Sequence, residues 1–424
     1  MEMGNLLYEL NTTEEPLELL YIWGRYNELT KDYKLIVTPE KYNKDAIYPL
    51  GIVDILDKKG TDFVAYFRSE KILFLDTNIL QTMLQNPSAQ IQYDYSIMLD
   101  TNYTSYIRTF LKRYNESNFS QESVYLTLDY LLRKDFNYDY TFYLMENYKN
   151  LFLAGEKSFT ISNPHHLKVY ENLYYLELFK SINHQKYLEE KKIEFLISTN
   201  EARQNTDQMI DIFYKNKYKD MLGMFVDLHA NITLLLIGIW KIKFSSKASA
   251  KNKMNKLLDF VINEVGIIFE RELIIAFKYF EDGKSVSMLN KVNKGGNSKE
   301  LLKKIENIAW DFLVPRVMEV QISIHKEKSY YIPFFLSHDK ALKELMELFK
   351  IKGILIHNQT NEYIPFSELN TTEFFKEKGL IEEFGRLNNV EVKEKRAMIR
   401  QRNKDTNFEA IGIEIEKLIQ VLNS

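Results

Sequence analysis

Three apolar, strand-like runs that each end in an acid and then turn helical constrain the fold more than any other feature. Residues 71–80 read KILFLDTNIL, residues 95–107 read YSIMLDTNYTSYI, and residues 330–342 read YYIPFFLSHDKAL. A short run of β-branched, leucyl and aromatic residues bounded by turn residues is a buried strand, and helical spacing directly after the acid marks a strand-to-helix turn. Such units build α/β sheets, which keep their chemistry at the carboxyl ends of the strands. Asp76 and Asp100, in the two Leu-Asp-Thr-Asn copies, therefore compete for one role, and Asp339 offers a third strand-end carboxylate. Asp-Thr-Asn also suits a helix N-cap, so one copy can cap its helix while the other does chemistry.

Outside these runs the pattern is helical. Apolar residues recur at three- and four-residue spacing from about 103 to 280, where no strand is expected, and again over 301–325, 371–387 and 408–422. Further strands are expected at 33–37, 47–56, 62–68 and 353–357, with a turn at 58–60. Five segments follow: an amino-terminal cap (1–66), the opening part of an α/β core (67–115), a helical insertion (116–300), the closing part of the core (301–360) and a helical tail (361–424).

Composition narrows the chemistry. The 424 residues are 45% hydrophobic, enough for a substantial core. Lys and Arg total 56 against 59 acids, a net charge of -3, so any site for a polyanion must be local. The basic stretches 241–256 and 393–404 are candidates for it, each with a solvated surface as its plainer reading. With no cysteine the chain has no disulfide, thiolate zinc site or thiol nucleophile, which fits a reducing compartment. There is no HExxH among the seven histidines; His165 and His166 read as solvated loop residues and His338 as structural. Nucleotide-binding glycine motifs are absent from the sequence. The amino terminus carries acids where a signal needs bases, and the apolar run 232–240 is shorter than the roughly 20 residues of a membrane span. A cytoplasmic protein with no membrane partner is the expectation.

Carboxylates gathered at one sheet edge cannot all stay ionised without a cation. Mg²⁺ or Mn²⁺ prefers such hard oxygen ligands and supports attack of water on a phosphodiester.

These residues resemble the PIN-like nuclease superfamily. Its domains open with a strand and Asp-Thr/Ser-Asn, as in FLDTNIL (Asp76) or IMLDTNY (Asp100). They continue with a helical Glu and a later Asp opening a helix, as Asp311 does in ENIAWDFLVPRVME, and close on a strand ending Thr/Ser-x-Asp, as in FFLSHDKAL (Asp339). About 200 residues separate the opening and closing motifs, so the resemblance requires an insertion. It implies an α/β chain, predominantly helical, built on a PIN-like doubly wound parallel sheet with a large α-helical insertion. It further implies a metal-dependent nuclease acting on RNA rather than DNA, in the setting of a bacterial toxin or phage-defence effector, with a protein regulator or inhibitor as a second partner. Under that reading Asp100 or Asp76, with Asp339, bridges Mg²⁺ or Mn²⁺. Asp311 and Glu146 or Glu272 hold a second ion or its waters, Asn78 or Asn102 orients the first Asp, and Ser337 positions water or caps a helix. The helix after Asp100 and the downstream Glu146 favour Asp100, whereas the more apolar strand favours Asp76. The competing expectation is a non-catalytic interaction module that keeps the α/β core. A phosphatase using an LDTN Asp as nucleophile is disfavoured, because neither copy has a second Asp two residues on.

Overall fold

The computed structural model describes residues 2–41, 50–51, 62–64, 66–69, 71–86, 93–114, 123–148, 160, 162–215, 219–295, 300–324, 330–367 and 369–424. The chain is α/β with helices predominating and two small sheets. In order it forms α1 (Glu2–Thr12), α2 (Pro16–Arg25), α3 (Asn27–Thr30), β1 (Tyr33–Val37), β2 (Leu50–Gly51), β3 (Phe63–Val64), β4 (Ile72–Leu75) and α4 (Thr77–Gln85). Next come β5 (Tyr93–Leu99), α5 (Thr101–Arg113), α6 (Ser123–Leu131), β6 (Tyr138–Asp139), α7 (Thr141–Tyr148), α8 (Pro164–Lys180), α9 (His184–Glu190) and α10 (Thr199–Lys215). Four helices follow, α11 (Lys219–Ser245), α12 (Ala250–Phe260), α13 (Glu270–Glu281) and α14 (Leu301–Ser323). The chain ends with β7 (Tyr330–Leu336), α15 (Lys340–Glu347), β8 (Ile351–His357), β9 (Tyr363–Ser367), α16 (Thr371–Glu377), α17 (Ile381–Gly385) and α18 (Val390–Asn423).

Two compact units share the chain. The first gathers 1–222, 316–340 and 351–366; the second gathers 223–315, 341–350 and 367–424. The expected insertion is therefore divided: its first hundred residues belong with the strands. Residues 1–66 are not a separate cap, because β1 is the middle strand of a sheet ordered β2-β4-β1-β8-β9. There β1 runs antiparallel to both β4 and β8. Leu35, Val37, Leu73, Leu75 and Leu355 point to one face and meet Leu6 and Leu10 of α1 and Leu19, Ile22 and Trp23 of α2. The alternate residues are buried too, which is why these strands read as unbroken apolar runs. Gly353 sits opposite Val37, and a Cβ there would come within 2.5 Å of the Phe366 ring and 2.9 Å of the Ile36 carbonyl. Gly353→Ala is expected to cost about 2 kcal/mol, read from the urea midpoint.

The second sheet, ordered β3-β7-β5-β6, has three parallel strands and one antiparallel edge. β5 and β7 pair in parallel through seven residues, from Tyr93 opposite Tyr330 to Leu99 opposite Leu336. The sequence differs from this architecture in two places. The strand expected at 353–357 does form, as β8, but joins the antiparallel sheet, so β7, α15 and β8 do not make one βαβ layer. The described strands thus divide between two sheets rather than composing one doubly wound parallel sheet. Residues 138–139, in the stretch where no strand is expected, form the short strand β6 beside β5. A two-residue strand leaves no periodicity to detect. The strand expected at 47–56 is described only at Leu50–Gly51, and the turn at 58–60 lies outside the described residues.

The second unit is helical. Its apolar run 232–240 belongs to α11, where the stretch Met221–Ser245 is long and apolar enough to cross a membrane by length and composition. The nine-residue run understated that length. In the structure 72% of that helix's apolar window is buried, as in a core helix. The basic stretch 241–256 is largely spoken for: Lys241 pairs with Glu414, Lys243 donates to the Tyr279 carbonyl at 2.8 Å, and Lys253 is buried. Residues 393–404 lie within the continuous helix α18.

Candidate active site

The register of the second sheet places four acids along one edge. Asp100 follows β5, Asp139 ends β6, Asp339 follows β7, and Asp62 precedes the antiparallel β3, whose start lies beside the end of β7. Because Leu99 lies opposite Leu336, Asp100 and Ser337 leave the sheet side by side. The Asp100 N–H donates to the Leu336 carbonyl at 3.1 Å. The Ser337 hydroxyl donates to Asp100 Oδ2 at 2.6 Å and accepts the Asp339 N–H at 3.1 Å. Two hydrogen bonds through one buried serine thus tie the second Leu-Asp-Thr-Asn copy to the Ser-His-Asp turn, which lies 237 residues away.

Asp100 also caps α5, its Oδ1 accepting the Asn102 N–H at 3.0 Å. The next residue, Thr101, donates through its hydroxyl to Glu146 Oε2 on α7. The Asn147 amide reaches the same hydroxyl at 3.4 Å. Burial first, and the nearby Asp100 charge second, push the Glu146 carboxyl up to about 7. Two carboxylates this close in a low-dielectric setting cannot both ionise cheaply.

Asp76 is elsewhere. It follows β4 in the other sheet, N-caps α4 by accepting the Ile79 N–H at 2.7 Å, and accepts the Tyr330 hydroxyl at 2.9 Å. Tyr330 opens β7 whereas Ser337 follows its end, a separation of about 20 Å along an extended strand. Buried Lys34 senses the Asp76 charge, although desolvation holds its own affinity for a proton below normal. Asp76→Ala should cost about 2 kcal/mol through the lost cap and an unsatisfied buried phenol. Thermal melts check this.

Glu272, buried on α13, and Asp311, half-buried on α14, belong to the second unit, apart in the chain's organisation from the strand-end acids. Asn78 and Asn102 are exposed, and the N–H groups of Ile79 and Asn102 hold Asp76 and Asp100 in the role expected of those amides. Among the described residues, no group of three or more His, Asp or Glu side chains is arranged to hold a metal. The Asp100–Glu146 pair nonetheless offers hard oxygen donors and a charge repulsion that a divalent cation would relieve, so the donor chemistry fits one Mg²⁺ or Mn²⁺.

Three participants at this edge escaped the sequence reading. Asp62 is buried, accepts the Tyr103 hydroxyl at 3.2 Å, and bonds His338 Nδ1 at 3.2 Å. His338, read as merely structural, is thereby oriented by a carboxylate while its side chain stays 44% exposed, with Tyr106 packed edge-on against its ring. Asp139 is shielded: Oδ1 accepts the Thr141 N–H at 2.6 Å and Oδ2 the Gln321 amide at 2.9 Å, and burial raises its pKa. Strand pairing alone brings Asp62 and Asp139 here, and their local sequences carry no acid motif. His166, read as solvated, is buried on α8 and accepts the Thr160 N–H at 3.0 Å. Comparisons with protein-family models, curated proteins and solved structures found no match for this chain.

Proposed function

We propose that Asp100, Glu146 and the turn carrying Asp339 form the centre of a metal-dependent nuclease of PIN-like type, cleaving RNA in the cytoplasm. The carrying observation is Glu146, held next to Asp100 through Thr101, with its carboxyl pushed up to about 7 by burial and by the Asp100 charge. Perturbed carboxylates at the carboxyl ends of parallel strands are a frequent mark of catalytic sites.

In this reading Asp100 and Glu146 would hold Mg²⁺ or Mn²⁺, with Asp339 at the rim. A divalent cation bound there supplies Lewis acidity towards a phosphate oxygen. The protein's own contribution is positional. Ser337 and the Asn102 N–H fix the two Asp100 oxygens, and Thr101 fixes Glu146. His338, held by Asp62, presents its outer nitrogen on the same edge, in reach of a polyanionic strand entering it. Roles for Asp311 and Glu272 in a second ion site draw no support from their membership of the other unit. The test is degradation of end-labelled RNA and DNA with Mn²⁺, Mg²⁺ or chelator. Metal-dependent RNA cleavage is expected, and inactivity of the wild type on every substrate and metal sinks the reading.

A second reading, a non-catalytic interaction module, draws on exposed apolar side chains along α18, where Val390, Met398 and Phe408 are 71%, 73% and 61% exposed. It predicts that inactivity.

A further inference from the structure

We propose that a cleft of ≈ 490 Å³ at the tip of β6, walled by α7, α8 and α10, binds a small organic cation, an amine or guanidinium on an alkyl stem, through the Glu177 carboxylate. This site is separate from the acidic pair. Thr141 and Leu144 line the cleft, whereas Glu146 lies two residues beyond Leu144, roughly 200° around α7.

Glu177 is only 4% exposed, yet its described partners are neutral: the Asn205 amide donates to Oε2 at 3.2 Å, and the Tyr140 phenol sits beside it. A buried carboxylate ordinarily has a cation for company, because desolvation of its charge is otherwise uncompensated. Here the carboxylate borders open volume. Asp139 adds a second acid to the same wall, with both oxygens already engaged, so it contributes field rather than a competing ligand site. Lys180, on the rim three residues after Glu177, is exposed, which leaves two acids against one base. Tyr138 and Tyr140 add aromatic side chains to the lining, and Leu144 and Met209 add apolar wall for an alkyl stem. A phosphate-bearing ligand would meet the two acids unfavourably.

The test is isothermal titration of the full chain with agmatine, putrescine and N-acetylarginine amide, with guanosine monophosphate as the contrasting ligand. The alkyl cations are expected to bind, and Glu177→Gln to weaken them by at least about tenfold. Binding of free agmatine alone assigns the site to a small metabolite, and equal binding of the arginine amide assigns it to a partner's arginine side chain. Ligand-free Glu177→Gln should melt close to the wild-type temperature, since glutamine keeps an oxygen for the Asn205 amide. Should that variant fold poorly, Met209→Trp, which adds bulk to the α10 wall of the cleft and keeps the Glu177 side chain, should likewise abolish binding. No binding by any alkyl cation, unchanged binding in Glu177→Gln, or preference for the nucleotide overturns the proposal. All these readouts are binding or melting, so they stand whether or not the chain cleaves RNA.

Discussion

Asp100→Asn is expected to lower metal-dependent RNA cleavage by about 10³-fold while the protein stays folded. Asparagine keeps an oxygen that can accept the Ser337 hydroxyl or the Asn102 N–H, so the turn between β5 and α5 survives. It loses the charge that, with Glu146, would bind the cation. Single-turnover rates at saturating Mn²⁺, with circular dichroism as the folding control, measure the effect. Cleavage within about threefold of wild type would remove Asp100 from the centre.

Glu146 predicts a pH-dependent stability with a definite sign. Its folded pKa, about 7, lies above the reference value of 4.5, so the folded state holds this proton more tightly than the unfolded chain does. The associated stability is fully present below about pH 4.5 and is lost as pH rises through 7. The shift corresponds to on the order of 3 kcal/mol. Chemical denaturation of wild type and Glu146→Gln between pH 4 and pH 8.5 isolates it, because the glutamine side chain does not titrate. The variant should be the more stable above pH 7, and the difference should shrink towards pH 4.5. Mn²⁺ should stabilise the wild type more at pH 8 than at pH 6 and should lose much of that effect in Glu146→Gln. Parallel stability curves for the two proteins would refute the account.

Much of the local structure was legible. The three acid-ended strands form, as β4, β5 and β7, because unbroken apolar runs broken sharply by Asp or Ser leave few alternatives. Helix α2 begins at Pro16 and ends at Arg25, as its apolar spacing and initial proline indicate. The capping role of Asp-Thr-Asn was also readable: each copy caps a helix, through Ile79 and Asn102 respectively.

Partnership between strands was not legible. Asp76 and Asp100 share nearly identical surroundings in sequence, and pairing alone separates them: β4 lies antiparallel to β1, whereas β5 lies parallel to β7. Local spacing encodes which residues are strand or helix and which face is apolar. It does not encode which strand a given strand joins, since buried strands of either sheet look alike. The same limit hid Asp62 and Asp139, which reach the edge through their pairing with β7 and β5.

The sequence by itself determined an acid after each of three apolar strands, a helix beyond it, and the exclusion of thiolate chemistry in a chain without cysteine. Tertiary structure alone decided that Asp100, rather than Asp76, meets the Ser-His-Asp turn, that Glu146 lies beside it, and that Glu272 and Asp311 belong to the other unit. The physical reason is the register of β5 against β7, a non-local set of hydrogen bonds joining residues more than 200 positions apart.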